Sequence, residues 1–183
     1  MNHIDASVSL DDSCTVGFFT VIEKGVTVGK NVVIGNRVTI HEGTKIGDHV
    51  TIADGAVLGK PPKPAKTSTV KLTGEIPPLE IGSDTTIGAN CVVYRGAKIG
   101  SSSMVADLAS VRENVEIADY VIVGRGVTVE NHVVIGSYTK IQSDSYITAY
   151  STLEDHVFIA PCVTTTNDNY MGRTEERFEK IKG

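Results

Sequence analysis

The sequence predicts an all-β fold, a parallel β-helix of about eight to nine triangular coils, and three observations predict it. An aliphatic residue recurs at every sixth position, a small or β-branched residue follows it four places later, and a single proline-rich stretch breaks the rhythm. The first run passes through Ile4, Leu10, Val16, Ile22, Val28, Ile34, Ile40, Ile46, Ile52 and Leu58. Two inward positions in six residues, one large and one small, describe a short strand and a turn; three of these close one coil of 18 residues. Glycine often follows the aliphatic residue directly, as at Gly29, Gly35, Gly47, Gly82, Gly88, Gly100, Gly124 and Gly136, where a tight corner would favour its permissive backbone. Residues 60–80 then interrupt the pattern with Pro61, Pro62, Pro64, Pro77 and Pro78. Proline cannot continue a central ladder, so this segment is expected to leave the coil as an extruded loop. The second run starts at Ile81 and continues at Ile87, Val93, Ile99, Val105, Val111, Ile117, Val123, Val129, Ile135, Ile141, Ile147, Leu153 and Ile159. The expected organisation is a β-helix over 1–166 with its insertion at 60–80, then a C-terminal loop and short helix over 167–183. A propeller or sandwich would need longer strands and turns roughly 8 to 12 residues apart.

Residues 18 apart stack, so every hexad falls on one of three faces. One face, here C, departs from the rest: glycine is absent after its aliphatic residues in the second run, where Tyr94, Arg112, Glu130, Thr148 and Thr166 stand. The next column holds Arg95, Glu113, Asn131, Ala149 and Asn167, and the one after it Gly96, Asn114, His132, Tyr150 and Asp168. If the insertion lies between faces C and A, the first run extends face C to Asp5, Glu23, His41 and Gly59. A column of large polar side chains on one edge of a regular prism is a ligand site, a subunit interface or a solvated face without chemistry.

With 17 Lys+Arg against 22 Asp+Glu, the chain gives a nucleic-acid partner no global electrostatic support. No stretch approaches the roughly 20 apolar residues of a membrane span, and the N-terminus lacks the pattern of a leader, so a cytoplasmic protein is expected. Cys14 and Cys91 occupy small inward slots as core residues, whereas Cys162 falls outside that register. The histidines show no spacing for a shared zinc ion, and no metal is expected. His49 and His156 fall on face A and read as structural; His41 and His132 are on face C and remain candidate bases.

Acylation of an amine by a thioester needs an aligned nucleophile, donors to developing charge and a proton acceptor. The densest polar constellation is Thr164–Tyr170. There Asn167 can donate to a thioester oxygen and Asp168 can hold an ammonium or take its proton. Tyr150 lies one coil below Asp168, and the same Asn-Asp-Asn run is also ordinary turn chemistry. The insertion carries Lys60, Lys63, Lys66 and Lys71, which either supply cations to a diphosphate or serve only solubility.

The runs VLGKPP, GEIPPLEIG, VVYRGAKIG, ADLASVRENVEI, VGRGVTVEN and YITAYSTLEDHVFIAPCVTTTNDNYMGR resemble the left-handed β-helix hexapeptide-repeat acyltransferases. Within them the chain is most similar to the N-acetyltransferases of nucleotide-linked amino-deoxyhexoses, the dTDP-3-amino-3,6-dideoxyhexose type of surface-polysaccharide pathways. The resemblance implies a left-handed coil, acetyl-CoA as co-substrate, and a homotrimer with sites between subunits. It also implies that Asn167 touches the reacting amine, and that the departing thiolate collects the proton. Asn167, Asp168 and His132 are therefore the expected catalytic residues. Tyr94, Arg95, Arg112, Glu113, Glu130, Asn131, Tyr150 and Tyr170 are expected to bind the sugar nucleotide, and Lys60 and Lys63 the CoA. The family's further coils after this segment are not matched, which leaves open a truncated paralogue or non-catalytic trimeric scaffold. An acyl-carrier-dependent acyltransferase is the other alternative.

Overall fold

A computed structural model describes residues 1–66 and 74–168, and among them the chain is a parallel β-solenoid of about eight turns, consistent with a left-handed β-helix. There is no helix among the described residues; the expected C-terminal helix lies outside them. Among the described residues, twenty-three strands, nearly all of two residues, form three parallel sheets of eight, seven and eight strands. Register is in steps of 18 residues, as in Thr128↔Tyr146 and Val129↔Ile147. Each aliphatic residue therefore sits on its counterpart in the next coil, and Ile22, Ile40, Leu58, Val93, Val111, Val129 and Ile147 form a fully buried column. The smaller slot is filled by Val32, Val50, Ala97, Val115 and Val133, equally closed to water.

The insertion does lie between faces C and A, because Ile81 pairs with both Ile46 and Ile99. Its bounds are tighter than 60–80. Lys60 ends the strand Val57–Lys60 and Glu80 begins the strand Glu80–Ile81. Leu79 is fully buried in the small slot, where its carbonyl accepts the amide of Lys45 at 2.9 Å. Leu79 is thus the first buried residue after the insertion and anchors the returning chain to the core.

The corner glycines serve closeness rather than unusual backbone. None of those directly after an aliphatic residue on faces A and B has a positive φ; a Cβ on Gly82 would meet the backbone nitrogen of Ser101 at 2.6 Å. The left-handed residue is instead the third after the aliphatic one, at Asn31, Arg37, His49, Asp84, Asn90, Tyr120, Tyr138 and His156 among others, with φ between 54 and 61°. None of these is β-branched, the class least able to adopt that conformation. The second corner residue supplies the remaining bond between coils. Asp48, Asp107, Asp119 and Asp155 each accept, at 2.7 Å, the backbone N–H of the residue one coil before that no sheet ladder would satisfy.

Candidate functional site

Four face-C side chains meet in one row. Tyr94 lies between two cations, with Lys60 Nζ 5.2 Å and Arg112 Cζ 5.2 Å from its ring centroid. Arg112 donates from Nε and Nη2 to the Glu113 carboxylate at 2.9 and 3.0 Å, and from Nη1 to Glu130 at 3.3 Å. The paired, charge-assisted geometry with Glu113 is the stronger interaction. Glu113 is 1% exposed, and this guanidinium is the partner that compensates its burial. Two carboxylates share one guanidinium, so Glu130 carries charge that Arg112 does not fully offset. Its effect reaches Tyr146, whose phenol is pushed up by burial first and by the Glu130 carboxylate second.

Lys60 joins this row through a backbone irregularity that the period does not reveal. The pairing of Val57–Lys60 with Val92–Tyr94 slips by one residue after Val93, so Tyr94 faces Lys60 and Gly59 is skipped. Gly59 has φ +72 and its absent Cβ would run into the Thr44 hydroxyl. A bulge with glycine in the left-handed conformation is the means of re-aiming a side chain next to a site.

The other expected site residues fall elsewhere. Arg95 grips the returning arm of the insertion and the coil below it, donating from Nε to the carbonyl of Ile76 and from Nη1 to that of Glu42, both at 3.3 Å. Gly96 lets that arm approach, since a Cβ there would stand 2.7 Å from Ile76 Cγ2. His132 stacks on Tyr150 with ring centroids 5.1 Å apart and planes 4° from parallel. Asn167 donates to the carbonyl of Ala149 at 2.8 Å. His132 is two coils below Asp168, about 10 Å along the axis at the usual strand spacing, so one chain does not bring the three expected catalytic groups into mutual contact. His41 is occupied with Glu23, at 3.2 Å from Nδ1. Lys63 is exposed in the insertion; Tyr170 and Lys71 lie outside the described residues.

Sequence reasoning passed over Tyr146, which stands immediately before its aliphatic residue on the same face; alternation along the strand was the available signal. It placed Gly59 on face C without reading a bulge there, although it is the only face-C glycine of the first run directly after an aliphatic residue. Among the described residues no group of three His, Cys, Asp or Glu is arranged to hold a metal, and no helix is long and apolar enough to cross a membrane. Cys91 is fully buried and its thiol is pushed up to about 11 by desolvation, so it remains protonated and inert.

These coils carry a known signature. Residues 25–60 match the bacterial transferase hexapeptide (six repeats) family, and residues 78–106 match the hexapeptide repeat of succinyl-transferase. The two matched stretches are the parts of the chain that carry this hexapeptide signature. Comparison with curated proteins finds no match. Among solved structures it is similar to a UDP-N-acetylglucosamine acyltransferase of Francisella novicida, at 23% identity and TM-score 0.83 over 91% of this chain and 62% of that one. It is similar also to LpxA of Acinetobacter baumannii, at 22% identity and TM-score 0.74 over 97% of this chain and 78% of that one. The UDP-N-acetylglucosamine O-acyltransferase of Moraxella catarrhalis gives 26% identity and TM-score 0.51 over 83% and 65%. The chain thus spans less than two thirds of the length of the Francisella structure, and the first two likenesses establish its fold.

Proposed function

We propose that this chain is an acyltransferase that moves an acetyl group from acetyl-CoA to the amine of a nucleotide-linked amino-deoxy sugar, working as a homotrimer with its sites at the face-C edges. The observation that carries this reading is the row Lys60–Tyr94–Arg112–Glu130 beside a prism edge. Lys60 and Arg95 form no ion pair among the described residues, and the amide of Arg95 donates to the Lys60 carbonyl at 3.1 Å, so two unneutralised cations stand together at the root of the insertion. With Lys63 they suit a diphosphate, from the CoA or from the sugar nucleotide. The surplus negative charge at Glu130 suits an ammonium, which must lose a proton before it attacks. Asn167 is assigned to the reacting amine, and His132 or Asp168 to the proton.

A second reading is transfer of a longer acyl group from an acyl carrier to a sugar hydroxyl. It is favoured by the likeness to UDP-N-acetylglucosamine acyltransferases, one of them described as an O-acyltransferase. A thiol-release assay separates the two. It would pair acetyl-CoA or an acyl carrier protein loaded with a long chain with nucleotide sugars bearing either an amine or only hydroxyls. The expected result is CoA release with an amino-sugar nucleotide and none with its hydroxyl analogue. Release only from the acyl carrier with the hydroxyl acceptor would establish the second reading, and no thiol from any pair would leave a scaffold.

A further inference from the structure

One buried polar atom on the face-C edge has no partner. Asn131 is 2% exposed, and its Nδ2 is the only buried side-chain nitrogen or oxygen among the described residues that makes no hydrogen bond. The rest of the core treats such groups differently. Thr20, Thr85, Thr139 and Ser145 are equally buried, and each donates to a carbonyl in the coil above at 2.9 Å. Asn167, two coils higher in the same column as Asn131, donates to Ala149 at 2.8 Å. A buried donor without an acceptor destabilises the fold. Leucine at this position would be of similar size and free of that cost, so the amide calls for an explanation outside the fold of the free chain.

Its surroundings supply one. Asn131 stands between Glu130, at the end of the row described above, and His132, stacked on Tyr150. The residue above it in the column is Ala149, which presents only a methyl group. Turning this Nδ2 towards a ligand breaks no hydrogen bond at that nitrogen. We propose that the Asn131 side-chain amide is the donor reserved for the carbonyl oxygen of the acyl thioester. This rests on the acyltransferase reading and extends it by naming the group that receives the developing negative charge. The acceptor nitrogen bonds to the thioester carbonyl carbon, and the carbon–oxygen π pair moves onto the oxygen facing Asn131 Nδ2. That pair returns as the carbon–sulfur bond breaks, the thiolate leaves with the bonding electrons, and the proton lost by the nitrogen passes through the group assigned to it above and ends on the thiolate.

The test uses the full chain with Asn131→Leu and Asn131→Asp, each followed by thermal unfolding and by thiol release. Asn131→Leu is expected to unfold at the wild-type temperature or a few degrees above it, and to lose about 100-fold in turnover, the usual effect of deleting one oxyanion donor. Asn131→Asp, which offers an acceptor in place of the donor, is expected to lose at least as much. An Asn131→Leu protein that unfolds well below the wild type would overturn the proposal, because the amide would then have a structural partner. Wild-type turnover in a stable Asn131→Leu protein would overturn it equally. Should the wild type itself release no thiol, the acyltransferase reading fails, whereas the unfolding temperatures still decide whether this nitrogen is unpaired.

Discussion

Among the described residues, the buried Glu113 carboxylate is paired with Arg112 alone, and the geometry shows how much depends on that one contact. The guanidinium presents two parallel donors to it at 2.9 and 3.0 Å, while Glu113 is 1% exposed and Arg112 is partly open to solvent. Removing the cation leaves a buried charge without an opposite, whereas removing both ends leaves a site that an apolar pair can fill. Arg112→Met is therefore expected to lower the unfolding free energy by about 3–5 kcal/mol, and Arg112→Met with Glu113→Leu to recover most of it. Urea titration of the single and double variants checks this, and a double variant no more stable than the single one would contradict it. From the sequence, Arg112 and Glu113 were two polar residues on a promising edge. That neighbours in the chain would pair with each other was not legible, because both lie in the corner after the strand Ser110–Val111, where no alternation fixes the direction of a side chain.

At the scale of one hexad, the glycine rhythm was legible and its physical reason was not. The period marks Gly47, Gly82 and Gly100 as corner residues where a permissive backbone is favoured, yet their φ values are ordinary and what they provide is room for the next coil. The left-handed corner falls two places later and accepts His49, Asp84 and Ser102. These two roles separate by substitution. Gly82→Val places a branched side chain against the backbone of Ser101 and Gly100, which cannot move without disturbing the sheet, and is expected to destabilise by about 1–3 kcal/mol. Asp84→Gly, at a position with φ +58, is expected to change stability far less. Equal losses on chemical denaturation would reverse this assignment of the corner. Face C escapes the first constraint, and that is why Tyr94, Arg112 and Glu130 can stand where the other faces prefer glycine.

Across the whole molecule, hydrogen-bonded corner carboxylates make the fold sensitive to acid, Asp54 by tying one coil to the next and Asp5 and Asp11 by holding their own corners. Asp5 and Asp11 are held below the ordinary 3.8 by hydrogen bonds from Ser7 and Ser13, and Asp54 by the backbone and then the side chain of Asn36. A carboxyl held below its unfolded value binds fewer protons folded than unfolded. Its contribution is thus fully present above about 3.8 and is lost as the pH falls through the folded value. The unfolding temperature is expected to fall progressively from about pH 5 to about pH 2, and Asp54→Asn to fall less steeply. Asparagine keeps the acceptor, as Asn36 shows by accepting the amide of Phe18 at 2.8 Å. Parallel melting curves for the variant and the wild type would refute this. What the sequence by itself determined was the coil, its three faces, the side of the prism that bears large polar residues, and the place of the insertion. All of these follow from a period of 18 that any stretch of the chain repeats. Only the tertiary structure decided which members of a column touch. The Gly59 bulge set Lys60 on Tyr94, Arg95 was drawn to a carbonyl 53 residues away, and Asn131 was left buried without an acceptor. A repeat fixes where backbones lie, but the partner of each side chain depends on the shapes and charges of coils above and below, and those do not repeat.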